Sequence, residues 1–142
     1  MQVRWLVGLV LLSALGCSSQ RFAPVSGRVT LNGAPLANAL VSFNPIPKEG
    51  SAEAGPGSVG TTNDHGEYTL RVGPDQPGAL VGKHRVAITG MNLRVGESDT
   101  RQPNAGRPLT TPIPRRYNDR TELTFDVPAE GTDHANFDLH SP

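Results

Sequence analysis

The stretch Val25–Pro45, VSGRVTLNGAPLANALVSFNP, constrains the fold of this chain more than any other. Small and apolar residues alternate through Val25, Gly27, Val29 and Leu31, and again through Ala39, Val41 and Phe43. Between the two runs lies Asn32-Gly33-Ala34-Pro35. A period of two sends alternate side chains to opposite faces, so each run reads as a half-buried strand. Asn-Gly supplies the positive φ of a tight reversal, and Pro35 stops a helix from running through the break. Leu36 then returns an apolar side chain to the core before the second strand begins.

The same grammar recurs downstream. Val59–Leu70 reads as strand, turn (Asn63-Asp64-His65-Gly66) and strand, with Tyr68, Leu70 and Val72 alternating. Asp64 and His65 read as turn residues rather than as a metal or acid–base pair. Gly82–Gly90 gives a strand with Val86 and Ile88 inward and His84 placed outward or near the strand start. Thr121–Val127 alternates through Leu123, Phe125 and Val127, and Ala135–Leu139 closes the chain with Phe137 and Leu139 inward. The stretches Ile46–Ser58, Gly73–Val81 and Met91–Pro112 carry no period and read as loops. With 16 glycines, 13 prolines and 5% aromatics in 142 residues, short strands and many turns are favoured over helices. The expected fold is a single all-β, Greek-key β-sandwich of about seven strands, with no helix beyond the N-terminal leader. Its expected core is Val29, Leu36, Val41, Phe43, Tyr68, Leu70, Val86, Ile88, Leu123, Phe125, Phe137 and Leu139.

These motifs resemble the carboxypeptidase regulatory-like domains, which are small transthyretin-like β-sandwiches. The opening of that family reads as valine-x-glycine-x-valine, asn-gly-x-pro-leu and ala-x-val-x-phe. Val25, Gly27, Val29, Asn32, Gly33, Pro35, Leu36, Ala39, Val41 and Phe43 match it. Thr62, Gly66, Tyr68 and Leu70 match a second hallmark, and Gly82, His84, Val86 and Ile88 a third. Ile113-Pro114 followed by Tyr117-Asn118 is similar to a segment of short bacterial lipoproteins that carry this domain. The resemblance spans Val25 to Leu139 and implies the transthyretin-like fold; it names no ligand. Tyr117 is expected as a buried anchor for the long loop, with its hydroxyl bonded to backbone.

Met1–Gly16 places Arg4 near the start, an almost wholly apolar Trp5–Leu12 next, and small residues last. That order is a secretory signal, and it is shorter than the ~20 apolar residues a membrane-spanning helix needs. Cys17, the only cysteine, follows Gly16 at the border with a polar run. This resembles a bacterial lipobox, whose cysteine carries diacylglycerol and becomes the mature N-terminus; Ala14 and Leu15 stand in the reverse of the usual order. The resemblance implies a signal peptide over 1–16, lipidation of Cys17, a tether over 17–24 and the sandwich domain over 25–142. It also implies a membrane-anchored lipoprotein facing the periplasm or the exterior. A single cysteine excludes an internal disulfide and a zinc site built on thiolates.

The formal charge is zero, so nothing suggests nucleic acid as a partner. Ser26, Ser42 and Ser58 lack the glycines of a nucleophile elbow, and His65, His84, His134 and His140 are scattered. Hydroxyisourate hydrolases of related fold end in tyr-arg-gly-ser, whereas this chain ends Asp138-Leu139-His140-Ser141-Pro142. Intradiol dioxygenases pair two tyrosines with a his-x-his that is missing beside Tyr68 and Tyr117. The chain therefore reads as a non-catalytic binding or structural module without metal or cofactor. The alternative is a small cell-envelope hydrolase or metal-dependent enzyme with its site in the loops. The segment 91–120 holds six arginines (94, 101, 107, 115, 116, 120) against Glu97, Asp99 and Asp119. If strands alternate up and down, this segment lies at the end away from the membrane. Arg101, Arg107, Arg115 and Arg116 are then the expected contacts for an anionic partner such as an envelope polysaccharide, a protein partner being the other expectation.

Overall fold

Asn32 and Gly33 both take positive φ, 50° and 86°, and fold the strand Ser26–Leu31 back onto the strand Ala34–Pro45. The computed structural model describes residues 19–95, 107–108 and 113–142, with side chains over 19–90 and 113–142. These residues form an all-β fold of curled, mostly antiparallel sheets. The strands are β1 (Phe22–Ala23), β2 (Ser26–Leu31), β3 (Ala34–Pro45), β4 (Ser58–Thr61), β5 (Glu67–Thr69) and β6 (Arg71–Val72). They continue with β7 (Gln76–Pro77), β8 (Ala79–Leu80), β9 (Gly82–Val95), β10 (Arg107–Pro108), β11 (Thr124–Val127) and β12 (Phe137–Leu139). One turn of 3-10 helix covers Arg115–Tyr117.

β3 pairs with β2 only through Ala34 and Pro35, then runs beside β9 from Leu36 opposite Val95 to Pro45 opposite His84. The change comes at a bulge between Ala37 and Ala39, where Asn38 takes φ 59°. A bulge adds a residue to one strand and bends it, so one strand can leave one sheet for another. Thr62 closes the bulge: its carbonyl accepts from Asn38 N–H (3.1 Å), its Oγ1 from Ala39 N–H (2.9 Å), and its N–H donates to Ala39 (2.9 Å). The larger sheet runs β10-β9-β3-β4-β6-β7, with β11 on the first residues of β9; β12 and β5 flank β2.

Both groups of strands turn their apolar faces to one core. Val29, Leu36, Val41, Phe43, Tyr68, Leu70, Val86, Ile88, Phe137 and Leu139 are buried as expected. Leu123 and Phe125 are half-buried and pack against that core from the sheet edge. Phe43 sits among the rings of His84 and Phe125, each at 5.6 Å, and Phe137 at 6.1 Å. The last strand closes the molecule from an unexpected direction. β12 pairs with β2 in parallel, Phe137 opposite Val29 and Leu139 opposite Leu31. Just before it, Ala135 crosses Gly27 so closely that a Cβ on Gly27 would stand 1.9 Å from the Ala135 carbonyl oxygen. The Tyr68 hydroxyl donates to that same carbonyl at 2.6 Å.

Several expectations need correction. The described residues form twelve strands rather than about seven: five are two-residue pairings, whereas β3 and β9 run for 12 and 14 residues. β9 does not end at Gly90 but continues to Val95, and β10 lies within the segment read as loop. A 3-10 turn is present near Tyr117, where no helix was expected. The paired fold begins before residue 25: Phe22 and Ala23 pair with Leu80 and Ala79, and Val81 N–H donates to Arg21 at 2.8 Å. His84 is buried rather than outward, since it shares the parity of Val86 and Ile88.

The pairings also set the two ends of the molecule. The Asn32–Gly33 turn, the Asn63–Gly66 turn and the far part of β9 share one end, where Val29 N–H donates to Gly66 and Leu36 faces Val95. Arg21–Ala23, the 46–57 loop and the β7–β8 segment share the other, where Ile46 N–H donates to Lys83. Phe43→Ala should cost ~3–5 kcal/mol in chemical denaturation, and a midpoint equal to wild type would contradict its central place. Tyr68→Phe keeps the ring but strands the Ala135 carbonyl, at an expected cost of about 1–3 kcal/mol in the same assay.

Candidate functional site: the arginine-bearing end

The arginine segment meets the body at the end marked by the Asn32–Gly33 turn. Arg107 faces Val95 across the β9–β10 pair, and Val95 faces Leu36. Pro114, at φ −55° and ψ 140°, leads into the 3-10 turn, which packs beside β9. Tyr117 N–H donates to Pro114 (2.9 Å) and Arg120 N–H to Arg115 (2.8 Å). Asn118 Nδ2 donates back to the Ile113 carbonyl at 3.3 Å, and Ile113 itself is buried. The ile-pro-x-x-tyr-asn segment thus works as a staple, with its apolar end in the core and its arginines outside.

The C-terminal tail completes this end. Asn32 N–H donates to Leu139 (2.8 Å), Asn32 Nδ2 to Ser141 Oγ (2.7 Å), and Ser141 N–H to Asn32 Oδ1 (3.1 Å). His140 N–H donates to the Tyr117 hydroxyl oxygen at 3.1 Å. The Tyr117 hydroxyl, at 3.5 Å, and the Arg116 guanidinium both donate to the His140 carbonyl. The Arg116 guanidinium lies 4.9 Å from the centre of the Tyr117 ring. Tyr117 is half-buried rather than buried: its ring packs against the core while its hydroxyl holds the tail.

The structure therefore brings Arg107, Arg115 and Arg116 to one end of the molecule. Arg107 is described by its backbone alone, and Arg101 and Cys17 lie outside the described residues, as does the 1–16 leader. Arg115 pairs with Asp119 at 3.5 Å; both side chains are about two-thirds exposed, so the pair contributes little. Arg116 is exposed and has no carboxylate partner among the described residues; a ring and a carbonyl hold it in place. A guanidinium fixed in this way loses less freedom when an oxyanion binds it.

Elsewhere the chemistry is sparse. His65, His134 and His140 are exposed, and His134 sits against the neighbouring Asp133. Among the described residues no three His, Cys, Asp or Glu stand close enough to share a metal. A polar depression of about 280 Å³ is lined by Ser26, Arg28, Glu67, Tyr68, Asp133 and Asn136, among others. Two of its polar groups are already engaged: the Tyr68 hydroxyl by Ala135, and the Arg28 Nε by the His65 carbonyl at 3.0 Å.

The tail clamp has no local signal in the sequence, because Asn32 and Ser141 meet only after β12 docks. It does leave a spectroscopic mark. Partial desolvation pushes the Tyr117 phenol up, but the His140 amide and Arg116 together outweigh it and hold its pKa below the usual 10. Burial alone pushes Tyr68 well above 10. Alkaline titration followed by near-ultraviolet absorbance should resolve the chain's two tyrosines, one ionising below 10 and one only far above it. Tyr117→Phe should remove the early step and leave the late one. Two coincident steps near 10 would contradict both environments.

Compared with protein-family models, curated proteins and solved structures, the chain matches none.

Proposed function

We propose that this chain is a cell-envelope lipoprotein whose Greek-key, transthyretin-like β-sandwich acts as a non-catalytic binding or structural module. The leader 1–16 is a signal peptide, and Cys17 carries the lipid that anchors the protein on the periplasmic or outer side of a membrane. Two or three acyl chains anchor stably where one holds only marginally, since each buried CH₂ contributes ~0.8 kcal/mol. The observation that supports this reading is the separation of the two ends by the strand pairings. A lipid on Cys17 leaves residues 18–21 before β1, a reach of at most ~14 Å. The N-terminal end then rests near the bilayer, and the arginine-bearing end points away from it.

The proposed contacts are Arg101, Arg107, Arg115 and Arg116, and the proposed partners are anionic envelope polymers such as acidic polysaccharide. A single exposed guanidinium gives ~1 kcal/mol or less, so several must engage one polymer for useful affinity. Removal of Arg4 with the leader gives the mature chain 12 Lys and Arg against 13 Asp and Glu, so 91–120 is a basic segment on an acidic body.

Metabolic labelling with a palmitate analogue in a bacterial host tests the anchor. Wild type should incorporate label and Cys17→Ser should not; equal label in both, or release of wild type into the medium, rejects it. Co-sedimentation tests the surface. Binding to acidic polysaccharide should exceed binding to neutral polysaccharide, weaken with salt, and fall when the four arginines become serine. Equal binding to both, unchanged in that variant, rejects the assigned contacts.

A further inference from the structure

His84 is the one basic side chain buried among the described residues, 1% exposed at the start of β9. It stands opposite Pro45 of β3 and Phe125 of β11, with its ring 5.6 Å from that of Phe43. Its Nδ1 lies 2.9 Å from the Gly82 carbonyl, so Nδ1 carries the proton and donates it. Nε2 is therefore the bare nitrogen, and it is buried without a hydrogen-bond partner. The neutral ring tolerates this. A second proton on Nε2 would place a cation with an unmet N–H against aromatic rings, which is the costly case of a buried charge.

The surrounding charges do little to relieve it. Asp126 on β11 favours the protonated ring through its field. Lys83 and Arg85 flank His84 on β9 but take the opposite parity and are exposed. The facing parts of β3 (Phe43, Asn44, Pro45) and of β4 (Ser58, Val59) offer no titratable group. Ser58, opposite Phe43, is itself buried with an unpartnered hydroxyl oxygen. Desolvation outweighs the Gly82 bond and Asp126, and holds the ring below the ordinary histidine value of 6.5.

β11 is the weak member of this neighbourhood. It has four residues, sits at the sheet edge, and pairs only with Gly82–Arg85. Beyond those bonds it is held by Val127, buried in the core, and by Phe125, whose ring meets Phe43 at 5.6 Å and Phe137 at 6.2 Å, while Leu123 and Thr121 just before it bond to Val86. As a four-residue edge strand registered against Gly82–Arg85, β11 is the element whose separation would expose the start of β9 while leaving the β3–β9 pairing in place. We propose that His84 is an acid-sensitive latch: on protonation β11 separates from β9 and uncovers the Phe43, Phe125 and Phe137 rings while the remaining sheets persist. The sign follows from linkage. The open form binds the proton at the ordinary value of about 6.5 and the closed form only below it, so the closed form is favoured above 6.5 and loses ground as pH falls.

Hydrogen exchange on the whole protein above and below pH ~6.5, corrected for intrinsic rates, tests the latch. Protection of the Thr124–Val127 and Gly82–His84 amides should drop by up to about tenfold per pH unit below that value, while Val41 and Ile88 keep theirs. His84→Phe, which keeps an aromatic ring without a titrating nitrogen, should abolish the drop. The same drop in His84→Phe, or an equal loss across every strand, overturns the proposal. If that variant fails to fold, titration of the wild-type imidazole by NMR decides: a midpoint at or above about 6.5 overturns it, and one well below supports it.

Discussion

β3 must serve two sheets, and the curl of the molecule depends on it. A strand has two hydrogen-bonding edges, and a residue cannot pair with β2 and β4 on the same edge. The Asn38 bulge resolves the conflict by ending the β2 pairing at Pro35 and letting the β4 pairing begin at Leu40. Thr62 then satisfies the backbone groups that the irregularity would leave unmet. Because the bend occurs within one strand, Leu36 and Val41 of that strand contribute to a single core shared by both groups of strands.

The second constraint is room. The chain from Thr132 to Leu139 runs parallel to Val25–Leu31, and the backbone at Ala135 passes where any other residue at position 27 would put its Cβ. Tyr68, from β5 on the other side of β2, fastens that crossing through its hydroxyl. The crossing directs β12 toward Asn32, where the tail meets the 3-10 turn. The order of the arginine-bearing end thus traces back to a missing side chain on β2. Arg116 owes its fixed position to a tail more than twenty residues away in sequence.

The two ends of the molecule carry different chemistry for the same topological reason. Antiparallel pairing through β2, β3, β4 and β9 returns the chain alternately to each end, so Phe22–Ala23 and the end of β9 lie apart. The buried imidazole lies beside Pro45 toward the end of Phe22–Ala23, and Arg115, Arg116 and the backbone of Arg107 lie at the other. The proposed binding surface at one end and the buried His84 near the other therefore share a scaffold without sharing residues.

Alternation along Val25–Phe43, the Asn32–Gly33 reversal and the runs ending in Val86, Ile88, Phe137 and Leu139 determined the strands and most of the core directly. Side-chain parity is a local property, and burial of one face is enough to set it. The same rule applied to His84 gives an interior ring near the strand start, where one Nδ1 bond suffices to bury a neutral imidazole. Tertiary structure alone decided the rest. The Asn38 bulge, the parallel docking of β12, the pairing of Phe22–Ala23 with β8 and the Asn32–Ser141 clamp all join residues distant in sequence. So too with the arginines: the sequence counts their charge, but the strand pairings gather Arg107, Arg115 and Arg116 at one end, because long-range backbone pairing carries no local signature.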